Sequence, residues 1–201
     1  MRAVAVTSAV VAFALCASAI QGKSFGSAPT NSQAASGWRD TFDVHKSNLL
    51  PTGTNPYITM QPGRVLKLKH GKDTLTVTIL RETQQIDGVT AGILEERETK
   101  NGKVVNHESA WRAGVAGARL GLMIPAKPMV GQKFYQEIAP KVAMDRVEVV
   151  SIDETVKTPA GVFEHCVHLR ETTPLERDVS HKYYAPGIGI IKDDEFELAE
   201  R

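Results

Sequence analysis

The sequence predicts an all-β protein, a curved antiparallel sheet or incomplete barrel built from two related strand-turn-strand halves. Apolar and polar residues alternate in short runs, as in 74–80, where Leu75, Val77 and Ile79 face one way and the threonines the other. Turn dipeptides such as Asn101-Gly102 separate these runs at near-regular spacing. Helical periodicity is not found over the length of a typical helix. These three observations together favour antiparallel strands throughout.

The N-terminal segment is typical of an export signal. Met1-Arg2 is a short positive start, 3–20 is nearly all apolar, and Ala17-Ser18-Ala19 is a small-x-small cleavage pattern. A membrane anchor is the alternative, but a run of about 18 residues rich in alanine is at the lower limit for a span. We therefore predict a signal peptide at 1–19, a periplasmic or secreted location, and no stable membrane span after cleavage.

The remaining chain divides into a leader and one domain. The composition of 20–37 predicts a flexible leader, because Ser, Ala, Gly, Pro, Gln and Asn bury too little apolar surface to become ordered. The length of 38–201 suits a single β domain. The whole chain has 24 basic and 23 acidic residues, and the signal removes one arginine. A neutral mature chain argues against a nucleic-acid partner, which normally requires a basic surface.

The strands are predicted in order from period-two alternation and turn residues. They lie at 57–60, 65–70, 74–80, 89–99, from 103 onward, 134–138, 146–152 and 162–172. A final hairpin joins Tyr183-Tyr184 to 188–191 through Pro186-Gly187. Residues 38–50 fit either a short helix or an irregular cover over a sheet edge. The acidic run Asp193-Asp194-Glu195 is predicted to be a solvated end.

An internal repeat relates 76–99 to 147–172. Glu82-Thr83 corresponds to Glu154-Thr155, and each copy ends in the same tripeptide, Arg97-Glu98-Thr99 or Arg170-Glu171-Thr172. Chance similarity between two amphipathic hairpins is the alternative. The shared tripeptide favours a duplicated unit, in which each copy needs the other to bury its apolar face.

Three motifs carry a resemblance to known proteins. They are Asn55-Pro56-Tyr57 with Pro62-Gly63, Pro159-Ala160-Gly161-Val162-Phe163 with Cys166, and Tyr183-Tyr184-Ala185-Pro186-Gly187-Ile188-Gly189. The chain resembles the TapB-like and other periplasmic β-rich domains over most of 54–195. The resemblance implies a β fold and an exported location but no reaction. Such proteins carry an aromatic hairpin in the first half, and none is found between Thr99 and Trp111, so we expect an unclosed sheet.

The sequence shows no catalytic constellation, and no metal or cofactor is expected. Cys166, alone after signal cleavage, is predicted to be a buried structural thiol; a nucleophile with His168 as base, or a metal ligand, is the alternative. His165 and His168 are three apart on a strand and point to opposite faces, so they cannot chelate one ion. The carboxylates of the second half and of 95–98 are predicted to lie on exposed faces.

Three classes of function remain open from the sequence: a carrier, an interaction module and an enzyme. We favour an exported binding protein for a lipid-like or other apolar molecule, because a curved sheet easily forms a pocket. Its binding residues are predicted to be Trp111, Phe163, Tyr183 and Tyr184, with Trp111 and Tyr184 near the opening. The alternative is a structural or protein-interaction module of the cell envelope without a small ligand. An enzyme is disfavoured because no polar groups are seen to converge.

Overall fold

The computed structural model describes residues 12–13, 15–16, 37–43, 45–86, 88–109, 118 and 120–201. Most of the predicted signal at 1–19, nearly all of the leader at 20–37, and Trp111 lie outside these residues. The only helical element described is one 3₁₀ turn at Lys46–Asn48. None of the helical structure in these ranges has the length and apolar character that a membrane crossing requires.

The described residues form short and long strands throughout. Their bounds are β1 Ala12–Phe13, β2 Leu15–Cys16, β3 Leu49–Leu50, β4 Gly53–Asn55, β5 Ile58–Met60, β6 Val65–His70, β7 Asp73–Ile86, β8 Val89–Lys100, β9 Lys103–Ser109, β10 Lys133–Tyr135, β11 Arg146–Thr158, β12 Gly161–Thr172, β13 Val179–Ala185, β14 Gly189–Asp193 and β15 Phe196–Glu200.

Eleven of these strands form one antiparallel sheet. Its order is β1-β8-β7-β6-β15-β14-β13-β12-β11-β10, with β9 pairing β8 off this path. Every hydrogen-bonded pair of named strands runs antiparallel, and the sheet is not closed into a barrel. The predicted fold class, an unclosed curved antiparallel sheet, is therefore confirmed. Two small two-stranded sheets, β2-β3 and β4-β5, lie beside it.

The last strand joins the two parts of the sheet. β15 lies between β14 and β6, with Leu198 directly opposite Leu68, and both leucines are fully buried. The first strands of the sheet are thereby hydrogen-bonded to the C-terminus of the chain, a pairing of high sequence separation. We call this pairing of β15 with β6 the seam. It joins the strands β6–β9 and β10–β14 into one sheet.

One contiguous core lies on the concave face of this sheet. Its fully buried members come from both sides of the seam, and they include Met60, Leu68, Val147, Leu169, Ile191 and Leu198. The alternation in β7 explains the arrangement, since Leu75, Val77 and Ile79 are buried while the threonines between them are not. The inner face of the sheet is therefore apolar over most of its area.

A glycine allows the segment before β10 to pack tightly against the sheet. A Cβ atom at Gly121 would lie 1.9 Å from the carbonyl oxygen of Gln136, which leaves no room for any other residue. The Gln136 side chain also donates from Nε2 to the Met123 carbonyl at 2.6 Å. These contacts hold Met123 over the inner face of the first half, where it lines a small apolar hollow together with Val77 and Tyr184.

Candidate functional site

The inner face does not stay apolar along its whole length. In an antiparallel pair, residues directly opposite each other point to the same face. Glu98 is opposite Leu75, and Glu96 is opposite Val77. Because both partners are core residues, the two carboxylates of β8 lie on the inner face. The prediction that 95–98 forms an exposed face is therefore wrong for Glu96 and Glu98.

The second half brings charged residues to the same face. Lys182 on β13 is opposite the fully buried Leu169 on β12 and also opposite Asp193 on β14. Glu171 on β12 is opposite the fully buried Val147. The sequence interpretation of Asp193 as part of a solvated end is wrong, because Asp193 belongs to a strand and is partly buried.

The curvature of the sheet gathers these charges around one concavity. β8 and β13 are separated by four strands in the sheet order, yet residues of both line a basin of about 370 Å³. We call this concavity the charged basin; its ionisable lining residues are His70, Asp73, Glu96, Glu98, Lys100, Glu171, Lys182, Asp193, Asp194 and Glu195. Asn106, Ser180, Leu75 and Phe196 complete its wall.

A smaller apolar hollow adjoins the charged basin. It encloses about 40 Å³, and we call it the apolar notch; its main lining residues are Leu66, Val77, Ile79, Leu94, Tyr184 and Ile190. Glu96 lines both concavities. Since Leu94, Glu96 and Glu98 follow each other at every second position of β8, the wall turns from apolar to charged along one strand.

The centre of the charged basin is a half-enclosed ion pair. The Lys182 Nζ lies 3.0 Å from Glu171 Oε2, and the two side chains are only 15% and 17% exposed. Burial alone would lower the pKa of Lys182, but Glu171 and the neighbouring carboxylates outweigh it and hold that pKa well above its ordinary value. Lys182 is therefore a permanent cation at neutral pH.

The charged form of Asp193 is less well stabilised than that of Lys182. Burial raises the pKa of its carboxyl above the ordinary value, and the nearby Lys182 only partly opposes this effect. Within the described residues, the Lys182 ammonium forms its close ion pair with Glu171, and the Asp193 carboxylate is attracted by Lys182 only at longer range. A partly buried carboxylate without a close counterion is a destabilising feature of the basin.

Tyr184 lines the apolar notch and is two residues after Lys182 of the basin on β13. It is only 3% exposed, and burial raises the pKa of its hydroxyl above the ordinary value. Its electrostatic neighbours are Lys182, Glu96, Glu171 and Asp193, all of which line the basin.

Tyr183 and Phe163 do not lie with Tyr184 at the notch. Tyr183 stacks on the imidazole of His168 with ring centroids 4.3 Å apart, and His168 Nε2 lies 2.8 Å from His181 Nδ1. Phe163 is half-buried, with the Arg201 guanidinium 5.9 Å from its ring centroid. Trp111 is outside the described residues. Of the three predicted binding residues that the structure describes, Tyr184 alone lines the notch.

Cys166 is fully buried within the core, which confirms the burial predicted from the sequence. Its thiol donates to the Phe163 carbonyl at 3.4 Å, while His168 is hydrogen-bonded to His181 instead. Burial raises the pKa of the thiol to about 11, so the thiolate is scarce at neutral pH. This geometry does not support a Cys-His nucleophile. Among the described residues, no three His, Cys, Asp or Glu side chains are placed to hold a metal ion.

Comparisons with known proteins leave the site to be interpreted from its own residues. No protein-family model matches the chain, and no curated protein matches it. A solved structure with some similarity is that of a candidate exported protein with a YmcC-like fold from Bacteroides fragilis. The two chains are 18% identical, the match covers 73% of this chain and 99% of the other, and the TM-score is 0.39.

Proposed function

We propose that this protein is an exported binding protein for a small amphipathic molecule, held on the inner face of the sheet. One observation carries the proposal: the inner wall changes from apolar to charged along β8, between the notch at Leu94 and the basin at Glu98. Four residues of a strand extend about 13 Å, the length of a small molecule with one polar and one apolar end.

The sizes of the two concavities narrow the class of ligand. The charged basin, at about 370 Å³, is within the range of small-molecule sites. The apolar notch, at about 40 Å³, admits a few water-sized groups and hence the end of an alkyl chain, but not a whole acyl chain. The lipid-like ligand proposed from the sequence is accordingly a short or headgroup-dominated amphiphile, with Tyr184 at its midpoint.

Binding of three hexyl compounds tests the proposal: n-hexylamine, n-hexanol and n-hexanoate, which share one chain and differ in the polar group. We expect at least one of them to bind the purified protein in isothermal titration calorimetry. Leu94→Trp, which fills the notch, should weaken that binding at least tenfold. Val162→Trp is the matched control, because Val162 is 61% exposed and does not line either concavity. Absence of binding by all three compounds would contradict the proposal.

The interaction module stays as a second candidate because of one edge of the sheet. β10 pairs only with Arg146, Val147 and Glu148 of β11, and within the described residues no strand pairs with the same edge from 150 to 158. Val150 and Ile152 on this stretch are 40% and 39% exposed. An unpaired strand with exposed apolar residues is a template for strand addition by a partner.

Site-specific photo-crosslinking in intact cells tests this second candidate. A crosslinker at Ile152 should give one product of discrete mass if a protein partner of the cell envelope pairs with this edge. The same crosslinker at Val162 should give none. Equal labelling from both positions would contradict the interaction module.

A further inference from the structure

We infer that the protein has a second binding site, for a phosphate group, in a cleft beside the apolar notch. The cleft encloses about 580 Å³ and is lined by residues 61–65, by Gly187 and Ile188, and by Arg201; we call it the arginine cleft. It shares Arg64 and Ile188 with the apolar notch and no residue with the charged basin. A ligand of this cleft therefore does not require the amphipathic molecule that we propose for the notch and the basin.

The lining of the arginine cleft is positively charged. Arg64 and Arg201 line it, and no aspartate or glutamate does so in the described part of the chain. The two guanidinium groups leave a formal charge of +1 even when the α-carboxylate of Arg201 is counted against them. A third guanidinium lies at the rim, because a Cβ atom at Gly63 would be 2.9 Å from Nη2 of the exposed Arg81. A concave surface with this charge attracts anions.

The hydrogen bonding of Arg64 is a second and independent indication of an anion. Its Nη2 donates to the Ile188 carbonyl at 2.7 Å and to the Gly187 carbonyl at 3.4 Å. Its Nε is buried without a hydrogen-bond partner, which holds for no other buried side-chain nitrogen or oxygen among the described residues. Buried polar groups are normally hydrogen-bonded, and leaving a donor of a charged group unpaired is costly. The unpaired Nε therefore indicates a missing acceptor.

The unpaired nitrogen belongs to an edge of the guanidinium that is suited to oxyanions. Nε and Nη2 direct their N–H groups to the same side, and such an edge pairs with two oxygens of one carboxylate or phosphate. The Nη2 bond to the Gly187 carbonyl is long, and Gly187 lines the cleft. Because Nε itself is covered, the oxyanion displaces the Gly187 carbonyl from this edge as it binds. The charge of Arg64, which faces neutral carbonyls, is then compensated.

The three guanidinium groups favour a phosphate over a carboxylate. A phosphate monoester has three terminal oxygens and close to two negative charges at neutral pH. Two oxygens occupy the Arg64 edge, and the third is left for Arg81 or Arg201. The Arg201 guanidinium lies 5.9 Å from the Phe163 ring centroid, an arrangement that leaves its N–H groups able to donate. The volume of the cleft is within the range of small-molecule sites, so it also has room for the group that carries the phosphate.

Glycerol 3-phosphate, with glycerol as its uncharged counterpart, tests the inference by isothermal titration calorimetry on the purified protein. We expect glycerol 3-phosphate to bind, glycerol not to bind, and added salt to weaken the binding because charges are screened. Absence of glycerol 3-phosphate binding, or equal binding of glycerol, would overturn the inference, whatever the three hexyl compounds do.

Vesicles identify the source of the phosphate. Cosedimentation with phosphatidylcholine vesicles that contain phosphatidic acid, reversed by glycerol 3-phosphate, would support a lipid headgroup as the ligand. Binding of glycerol 3-phosphate without such cosedimentation would support a soluble phosphate ester.

Variants of the arginines assign the binding to the cleft. Arg64→Lys keeps the charge but removes the two-donor edge, and it should weaken glycerol 3-phosphate binding about tenfold. Arg81→Gln and Arg201→Gln change exposed residues that the fold tolerates, and each should weaken binding about threefold. Arg177→Gln is the matched control, since Arg177 is exposed and lines none of the three concavities. Unchanged binding in Arg64→Lys, or a loss in Arg177→Gln equal to those in Arg81→Gln and Arg201→Gln, would overturn the inference.

Discussion

Two long hairpins of this protein carry the same tripeptide in different surroundings. The hairpin β7-β8 has Arg97-Glu98-Thr99, and the hairpin β11-β12 has Arg170-Glu171-Thr172. In both, the glutamate is on the inner face opposite a buried core residue, and the arginine pairs with another glutamate: Arg97 with Glu95, Arg170 with Glu148. Both glutamates line the charged basin and both bind a lysine at 3.0 Å.

The lysines differ in their exposure. Lys100, the partner of Glu98, is 53% exposed, whereas Lys182, the partner of Glu171, is 15% exposed. The position of each hairpin in the sheet explains the difference. β12 is an internal strand between β11 and β13, whereas β8 is next to the end of the sheet, beside the short strands β1 and β9. One local motif therefore gives a rim ion pair in one half and an enclosed ion pair in the other.

Replacing each lysine by methionine should sharpen this contrast and give the largest effect. Lys182→Met leaves Glu171 and Asp193 without a nearby cation, and breaking an enclosed pair on one side costs about 3 kcal/mol in free energy of unfolding. Lys100→Met removes an exposed partner and should cost less than about 1 kcal/mol. Urea denaturation at pH 7 measures both.

A compensating variant distinguishes lost charge from lost packing. Lys182→Met combined with Glu171→Gln should recover part of the stability that Lys182→Met loses, because the buried carboxylate is removed together with its partner. Equal losses of stability for Lys100→Met and Lys182→Met would contradict the expected difference between the exposed and the enclosed ion pair.

The strands were largely predictable because alternation and turn residues act locally. The predicted run 65–70 coincides with β6, and the predicted runs 89–99 and 162–172 differ from β8 and β12 by one residue. β15 was missed, because Asp193-Asp194-Glu195 suggested a solvated end. Asp194 in fact has a positive φ of 47°, typical of a tight turn, and the chain returns to pair with β6. A pairing between the last strand and an early one has no local signature in the sequence.

The site was less predictable because it depends on curvature. Glu96 and Glu98 lie in a charged stretch that is typical of an exposed edge, and only pairing with Leu75 and Val77 shows that they face inward. Tyr184 was predicted at the opening and lies in the notch. The repeated Arg-Glu-Thr was the available signal, since it gives both hairpins the same inner glutamate. The duplication of the two halves stays a prediction.

Substitutions at the irregular centres of the two hairpins should also differ in their effect on the free energy of unfolding. The difference should be smaller than that between the two lysine substitutions. The hairpin β7-β8 has one shift of register, between Ile79 and Thr83, and the hairpin β11-β12 has three, in the stretch that faces Cys166. Cys166 is fully buried, so Cys166→Ala should cost about 1.5 kcal/mol through the void that it leaves. Glu82, in the first shift, is exposed, and Glu82→Ala should change stability by less than about 0.5 kcal/mol.

The Cys166 thiol adds a pH dependence of definite sign. Its pKa in the folded protein, raised to about 11 by burial, is above that of an unfolded cysteine, about 8.5. Its contribution to stability is complete below the unfolded pKa and is lost as the pH rises through the folded pKa. The stability difference between the unmodified protein and Cys166→Ala should therefore shrink between pH 8.5 and about 11. Rapid native-state labelling of Cys166 at pH 7 would contradict its burial.

The smallest effect is expected at the seam that joins the two hairpins into one sheet. Glu200 on β15 accepts hydrogen bonds from Lys67 Nζ at 2.8 Å and from Lys69 Nζ at 2.6 Å, both on β6. These bonds lower the pKa of Glu200 to about 2, so its contribution to stability is complete above the unfolded value and is lost as the pH falls through the folded one. Glu200→Gln should lower the urea midpoint slightly at pH 7, and high salt should reduce the difference because exposed ion pairs are screened. Glu164→Gln, on an exposed residue of β12, is the matched control. A salt-independent loss for Glu200→Gln would mean that the backbone pairing of Leu198 with Leu68, rather than this charge cluster, is what the substitution disturbs.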